Sequence, residues 1–178
     1  MLAAFTPDLA LPPLQAFANR TLHTFTGLAS PTLLDDVARV FNLDRSWHGQ
    51  GLLGSAEHRT NWFNATAEGF ARGVRAWVDD DAIILIDAAD VSLPEPLPFL
   101  LDGLGEPDAK LDSFLGTLEI KGSEYVYPRR GLTLYVNPAT AVLLRIVGFA
   151  PTSLEHYQRD LRLDLEMKLL PPSQDNSP

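Results

Sequence analysis

Arg72-Gly73-Val74-Arg75-Ala76-Trp77-Val78-Asp79 and Arg130-Gly131-Leu132-Thr133-Leu134-Tyr135-Val136-Asn137 are the two stretches whose comparison decides the fold. At a constant offset of 58 residues, three of the eight columns are identical and four more are conservative or apolar in both. Val74 and Val78, like Leu132, Leu134 and Val136, fall on one face of a strand, and Trp77 and Tyr135 fall on the other. Each stretch is followed by an aliphatic run, Ala82 to Ile86 and Ala141 to Ile146, and preceded by a short helix candidate. The pattern predicts an α+β fold of two tandem repeats of helix plus antiparallel β-sheet, with hairpins over 74–86 and 132–149 sharing a core. Gly73 and Gly131 are expected at equivalent backbone positions, chosen for positive φ or close approach.

Working outward, Leu33, Leu34, Val37, Val40 and Phe41 recur with helical spacing, with Ser30 as the expected cap and Pro31 at the first turn. Leu22, Thr24 and Thr26 alternate with His23 and Phe25, which predicts a strand near 21–26. Gly49, Gly51 and Gly54 predict a flexible loop over 47–55. Strand-like residues follow over 59–66. Pro94, Pro96 and Pro98 mark an internal boundary, so the first repeat with its N-terminal extension spans 1–93 and the second 94–170, the whole forming one compact unit. Beyond the boundary come a helix over 99–104 ending near Gly105, a strand over 114–121, a Gly122-Ser123 turn and a strand over 125–127. Thr152 and Glu155 suggest a capping box for a short C-terminal helix. Leu163, Leu165, Met167 and Leu169 then alternate as a final strand, although one long helix over 152–170 fits the same residues. The tail 171–178 is polar and expected to be disordered.

With 178 residues, 46% of them hydrophobic and 21% charged, the chain has the composition of an ordinary globular protein. The absence of cysteine excludes disulfides, thiolate nucleophiles and iron–sulfur ligation. No basic residue precedes the first apolar stretch and no run of roughly 20 apolar residues occurs, so the reading is cytoplasmic, with no membrane association. The formal charge of −9 is uneven: eleven acids against Lys110 between Asp79 and Ile120 contribute −10, and the remainder of the chain is +1. Such a block disfavours nucleic acid and anionic lipid, and steers a basic protein partner.

Motifs that carry chemistry are few. Gly49 to Gly54 spells G-x-G-x-x-G, but a dinucleotide site needs a strand before it and a helix after it, and here a helix precedes. His48, His58 and Glu57 supply metal-ligand atoms without a ligand spacing. No G-x-S-x-G elbow or S-x-x-K motif exists, and the spacing of Asp87 and Asp90 does not make an acid and base pair. Asp79, Asp80 and Asp81 read as a solvated turn, not a calcium loop. No enzyme, cofactor or metal is therefore expected. Aromatic residues are the better recognition candidates, because Trp and Tyr dominate interface hot spots. The expected partner-binding set is Asp79, Asp80, Asp81, Trp77, Tyr135, Trp62 and Tyr125, with Trp77 and Tyr135 facing outward if the aliphatic faces are core.

Leu97-Pro98-Phe99-Leu100, Leu104-Gly105-Glu106-Pro107, Tyr127-Pro128-Arg129-Arg130-Gly131-Leu132, the valine-rich hairpin and Ala150-Pro151-Thr152-Ser153-Leu154 resemble the bacterial beta-lactamase-inhibitor-protein-like domains, a group that includes immunity proteins of toxin systems. The resemblance implies a tandem helix-plus-sheet module that presents a sheet face to a protein. Its departures are the missing disulfide and lipoprotein cysteines, neither of which a cytoplasmic immunity protein needs. The expected function is thus a non-enzymatic immunity or inhibitor module that binds a basic toxin or enzyme domain. The alternative is a small-ligand binder or enzyme that uses a cleft between the repeats.

Overall fold

The structure, a computed structural model, describes residues 8–115, 120–137 and 139–163. Two helices, α1 (Leu11–Ala18) and α2 (Leu34–Val40), precede the strands β1 (Asn42–Leu53), β2 (His58–Thr66), β3 (Val74–Asp79) and β4 (Ala82–Ala89). Helix α3 (Leu97–Leu104) then precedes β5 (Ala109–Leu115), β6 (Ile120–Tyr127), β7 (Leu132–Asn137) and β8 (Val142–Phe149), and α4 (Leu154–His156) runs into a π-helical turn, Tyr157–Leu161. The eight strands form one antiparallel sheet in the order β1-β2-β3-β4-β8-β7-β6-β5. Among the described residues no helix is long and apolar enough to cross a membrane.

A helix followed by a four-strand meander thus occurs twice, and the two meanders join where β4 pairs with β8. Register shows how closely the halves correspond. In the first hairpin Val78 pairs with Ile83 and Trp77 with Leu85, leaving Ile84 as a bulge. In the second, Val136 pairs with Leu143 and Tyr135 with Arg145, leaving Leu144. The second turn is two residues longer, so equivalents lie 58 apart before it and 60 apart after it. At the junction Leu85 pairs with Phe149, and its equivalent Arg145 pairs with Ala89, while Asp87 faces its own equivalent Val147. An approximate two-fold axis therefore pierces the middle of the sheet between Asp87 and Val147.

The period-2 pattern sends Val74, Ala76, Val78, Leu132, Leu134 and Val136 to one face, where they pack with Leu14, Phe17, Leu34, Val37, Leu97 and Leu100 of α1, α2 and α3. Gly148 leaves room there for the rings of Phe17 and Phe25. The opposite face holds a second core of Trp77, Leu85, Tyr135, Val147 and Phe149, closed by Tyr157, Leu161 and Leu163. The C-terminal segment reaches that core by crossing back to the first half, where Leu53 bridges Leu163 and the Gly54 N–H donates to Arg162 O at 2.6 Å.

Several expectations need correction. No strand forms over 21–26; the chain turns there, with Thr24 N–H and Oγ1 both donating to Thr21 O at 3.1 and 2.9 Å, a local alternative that threonine offers the backbone. Helix α2 is capped by the Asp36 carboxylate, which accepts from Leu33 N–H at 2.8 Å, and not by Ser30. Ser153, not Thr152, caps α4, its Oγ accepting from His156 N–H at 3.1 Å. Pro98 does not break α3 but sits in its first turn, where its missing N–H needs no partner. Gly122 and Ser123 are not a turn: they pair with Ser113 and Asp112 inside the β5–β6 ladder. The expected final strand lies outside the described residues beyond Leu163, as does the tail.

The glycine-rich stretch is the largest difference. It is the end of β1, a 12-residue strand, and its glycines serve contact instead of flexibility. A Cβ on Gly49 would lie 2.4 Å from the Trp62 ring, and one on Gly51 would lie 2.6 Å from the Trp77 ring. Both indoles occupy the space that a Cβ would need at these two positions.

Candidate functional site

The seven residues expected to bind a partner do not share one surface. Asp79, Asp80 and Asp81 are exposed at the β3–β4 turn, with Asp80 at φ 53°. Trp77 and Tyr135 do not face outward. They are 3% and 1% exposed, because the C-terminal segment covers the face that alternation left open. Trp62 is half-buried on that same face, opposite Trp77. Tyr125 lies on the other face against the first core, with the Lys110 ammonium 5.3 Å from its ring centre. His48 and His58 lie five pairing positions apart on β1 and β2, about 17 Å at strand spacing. His58 Nε2 pairs with Asp160 Oδ1 at 2.7 Å. No group of three or more potential ligands converges on a metal site among the described residues.

Two buried carboxylates organise the Trp77 and Tyr135 face. Glu124 on β6, 0% exposed, accepts from Tyr135 Oη at 3.2 Å, from Tyr157 Oη, and from Arg162 Nε at 2.8 Å. Burial first, then the negative charge of Glu124 beside it, holds the Tyr157 phenol well above the ordinary tyrosine range. Burial, the neighbouring Tyr157 and Glu124 do the same for Tyr135. Both phenols remain protonated in the native state while unfolded tyrosines ionise near pH 10, so stability is intact below that pH and falls above it. The expected slope is up to about 1.4 kcal/mol per pH unit for each tyrosine. Urea midpoints measured from pH 8 to 11.5 test this, and Tyr157→Phe should lower the slope; a flat alkaline profile in the parent protein would contradict the buried network.

Asp87, beside the two-fold axis and 0% exposed, is the second carboxylate. The β3–β4 register sets Arg75 directly opposite it, so that Nε and Nη2 donate at 3.1 and 2.8 Å. Trp77 Nε1 donates at 2.5 Å, and Arg145 Nη1 reaches it from β8. The Arg75 guanidinium lies 5.6 Å from the Trp62 ring centre and 5.1 Å from that of Trp77, within cation–π range. Above this cluster opens a cleft of about 180 Å³ lined by Trp47, Trp62, Arg72, Arg75 and Arg145. The β1–β2 ladder shapes its rim: Asp44 pairs with Asn64 and His48 with Phe63, leaving residues 45–47 without a rung. That bulge carries Trp47 to the edge of the cleft, 58% exposed.

No family model, curated protein or solved structure matches the chain. The site therefore stands on its own geometry. Sequence reading named Trp62 and Asp87 without seeing that they belong together, and it missed the roles of Arg75 and Arg145. The one available signal was the pair Arg75 and Asp87 within a predicted hairpin, and it was obscured by the bulge at Ile84.

Proposed function

We propose that the chain is a non-enzymatic protein-binding module of the cytoplasm, an immunity or inhibitor protein that blocks a basic toxin or enzyme domain. The observation that carries this reading is the exposed indole of Trp47 beside Trp62 and Arg75, a combination of residue types that dominates the energetics of protein interfaces. The exposed turn Asp79–Asp81, which begins about 13 Å from Arg75 along β3, steers the basic partner before contact. The repeated helix-plus-sheet unit accords with the resemblance to beta-lactamase-inhibitor-protein-like domains, from which the class of partner is taken.

Affinity capture from the native host, read with neighbouring reading frames, supplies the partner, and stopped-flow kinetics then tests the reading. Replacing Asp79, Asp80 and Asp81 by asparagine should slow association on the order of tenfold at low salt and flatten its salt dependence, with dissociation nearly unchanged. Trp47→Ala should do the reverse, accelerating dissociation while leaving association nearly intact. An unchanged association rate in the triple variant overturns the steering role. An unchanged dissociation rate in Trp47→Ala overturns the anchor.

A further inference from the structure

We infer that the cleft above Asp87 is a carboxylate-binding site; it shares Trp47, Trp62 and Arg75 with the protein-binding reading above but is argued from charge, free donors and size. Its charge is the first argument. Arg72, Arg75 and Arg145 bring three positive charges to its walls and Asp87 one negative charge, with Asp90 outside the lining as the ion-pair partner of Arg72. Arg72 Nε pairs with Asp90 at 2.5 Å, leaving two guanidiniums to share the one carboxylate of Asp87. One positive charge is in excess there, although the protein as a whole carries −9.

Donor geometry is the second argument. Arg75 commits Nε and Nη2 to Asp87, and Arg145 commits Nη1, so Arg75 Nη1 and the Nε and Nη2 of Arg145 make no hydrogen bond among the described residues. The two side chains are 30% and 19% exposed, and both line the cleft. A guanidinium presents its donors as a planar fork that matches a carboxylate. Here the forks are already held in place, by Asp87 from below and by the Trp62 and Trp77 rings beside Arg75, so little side-chain freedom remains to be lost on binding.

Size and lining are the third. About 180 Å³ is below the usual range for metabolite pockets of roughly 300–1,000 Å³, so the cleft suits a carboxylate with a small flat or short aliphatic body, not a nucleotide. The indoles of Trp47 and Trp62 supply the apolar wall for that body. Two sources offer this chemistry, a free small carboxylate and an aspartate or glutamate side chain of another protein.

Both cleft tryptophans and the buried Trp77 report on the site, so intrinsic fluorescence of the full chain can follow it. Sodium benzoate should give a saturable change at millimolar concentration, whereas the neutral isostere benzamide should not, at matched ionic strength. Arg145→Lys keeps a cation beside Asp87 but removes the uncommitted Nε and Nη2 donors, and Trp47→Ala removes an exposed wall; each should weaken benzoate by about tenfold, the loss expected for one charge-assisted contact or one stacking wall. Equal binding of benzamide, equal binding of inorganic phosphate, no saturable change, or unaltered benzoate affinity in both variants each overturns the assignment. A blocked Gly-Asp-Gly peptide that binds while its Asn counterpart does not points to a protein side chain as the source. Benzoate binding with neither peptide active points to a free carboxylate.

Discussion

Gly131→Ala is expected to destabilise the protein by about 2–5 kcal/mol, reaching the upper end of what single substitutions do. The residue sits at φ 60°, where an L side chain costs about 1–2 kcal/mol by itself. A Cβ there would also lie 2.0 Å from the carbonyl oxygen of Phe149 and 2.8 Å from Gly27 Cα. Neither neighbour can yield easily: Phe149 N–H donates to Gly131 O at 2.8 Å, and Phe149 O accepts from Leu28 N–H at 2.9 Å. Forcing backbone away from backbone adds the cost of overpacking, about 1–3 kcal/mol. Its repeat equivalent Gly73, at φ 73° with a Cβ 2.7 Å from Ala65 O, should suffer a smaller loss. Gly103 in α3 meets nothing within 4 Å, and Gly103→Ala should stabilise by about 0.5–1 kcal/mol through helix propensity. Urea denaturation of the three variants gives the ranking; a Gly131→Ala protein as stable as the parent would contradict the close approach of Phe149 and Gly27 to Gly131.

Asp87→Ala is expected to cost a further-reaching 3–5 kcal/mol, about the penalty for removing one partner from a buried ion pair. Arg75, Arg145 and the Trp77 N–H would together lose their acceptor, and Trp77 is too deeply buried to find water in its place. In a chain of this length the melting temperature should drop by roughly 10–15 °C. Asp87→Asn preserves shape and one acceptor, so its loss should be smaller. Because the acid is fully buried, added salt should not erase the difference between parent and variant. An Asp87→Ala loss below about 0.5 kcal/mol, the range of ordinary surface changes, would show that the guanidiniums do not need this carboxylate.

Much of the framework was legible in the chain because it depends on neighbours. Alternation in Val74 to Val78 and Leu132 to Val136 specifies strands with one apolar face, since successive side chains point to opposite sides. A glycine ahead of each strand anticipates the positive φ found at Gly73 and Gly131, and the offset between the two hairpins anticipates a sheet built twice. The candidate site was less legible. Asp79, Asp80 and Asp81 are in water because a short turn needs only local chemistry, but Trp77 and Tyr135 are core because residues far along the chain fold back over them.

Gly49 and Gly51 show the same divide. Their composition reads as a loop, and they become strand because the tryptophans that cover them arrive from β2 and β3. The cleft depends on register most of all. From the turn pairs Asp79 with Ala82 and Val78 with Ile83, an unbroken ladder would set Arg75 opposite Ile86; the bulge at Ile84 moves it to Asp87 instead. Arg145 joins them only because the second half docks β8 against β4. The sequence by itself determined that Val74 to Val78 and Leu132 to Val136 are strands with one apolar face and that the unit recurs, both properties of adjacent residues. Which face is closed, which register is adopted and which charges meet were decided by the tertiary structure, because a one-residue change of register turns every following side chain to the other face, and only packing between distant segments selects one register over the next.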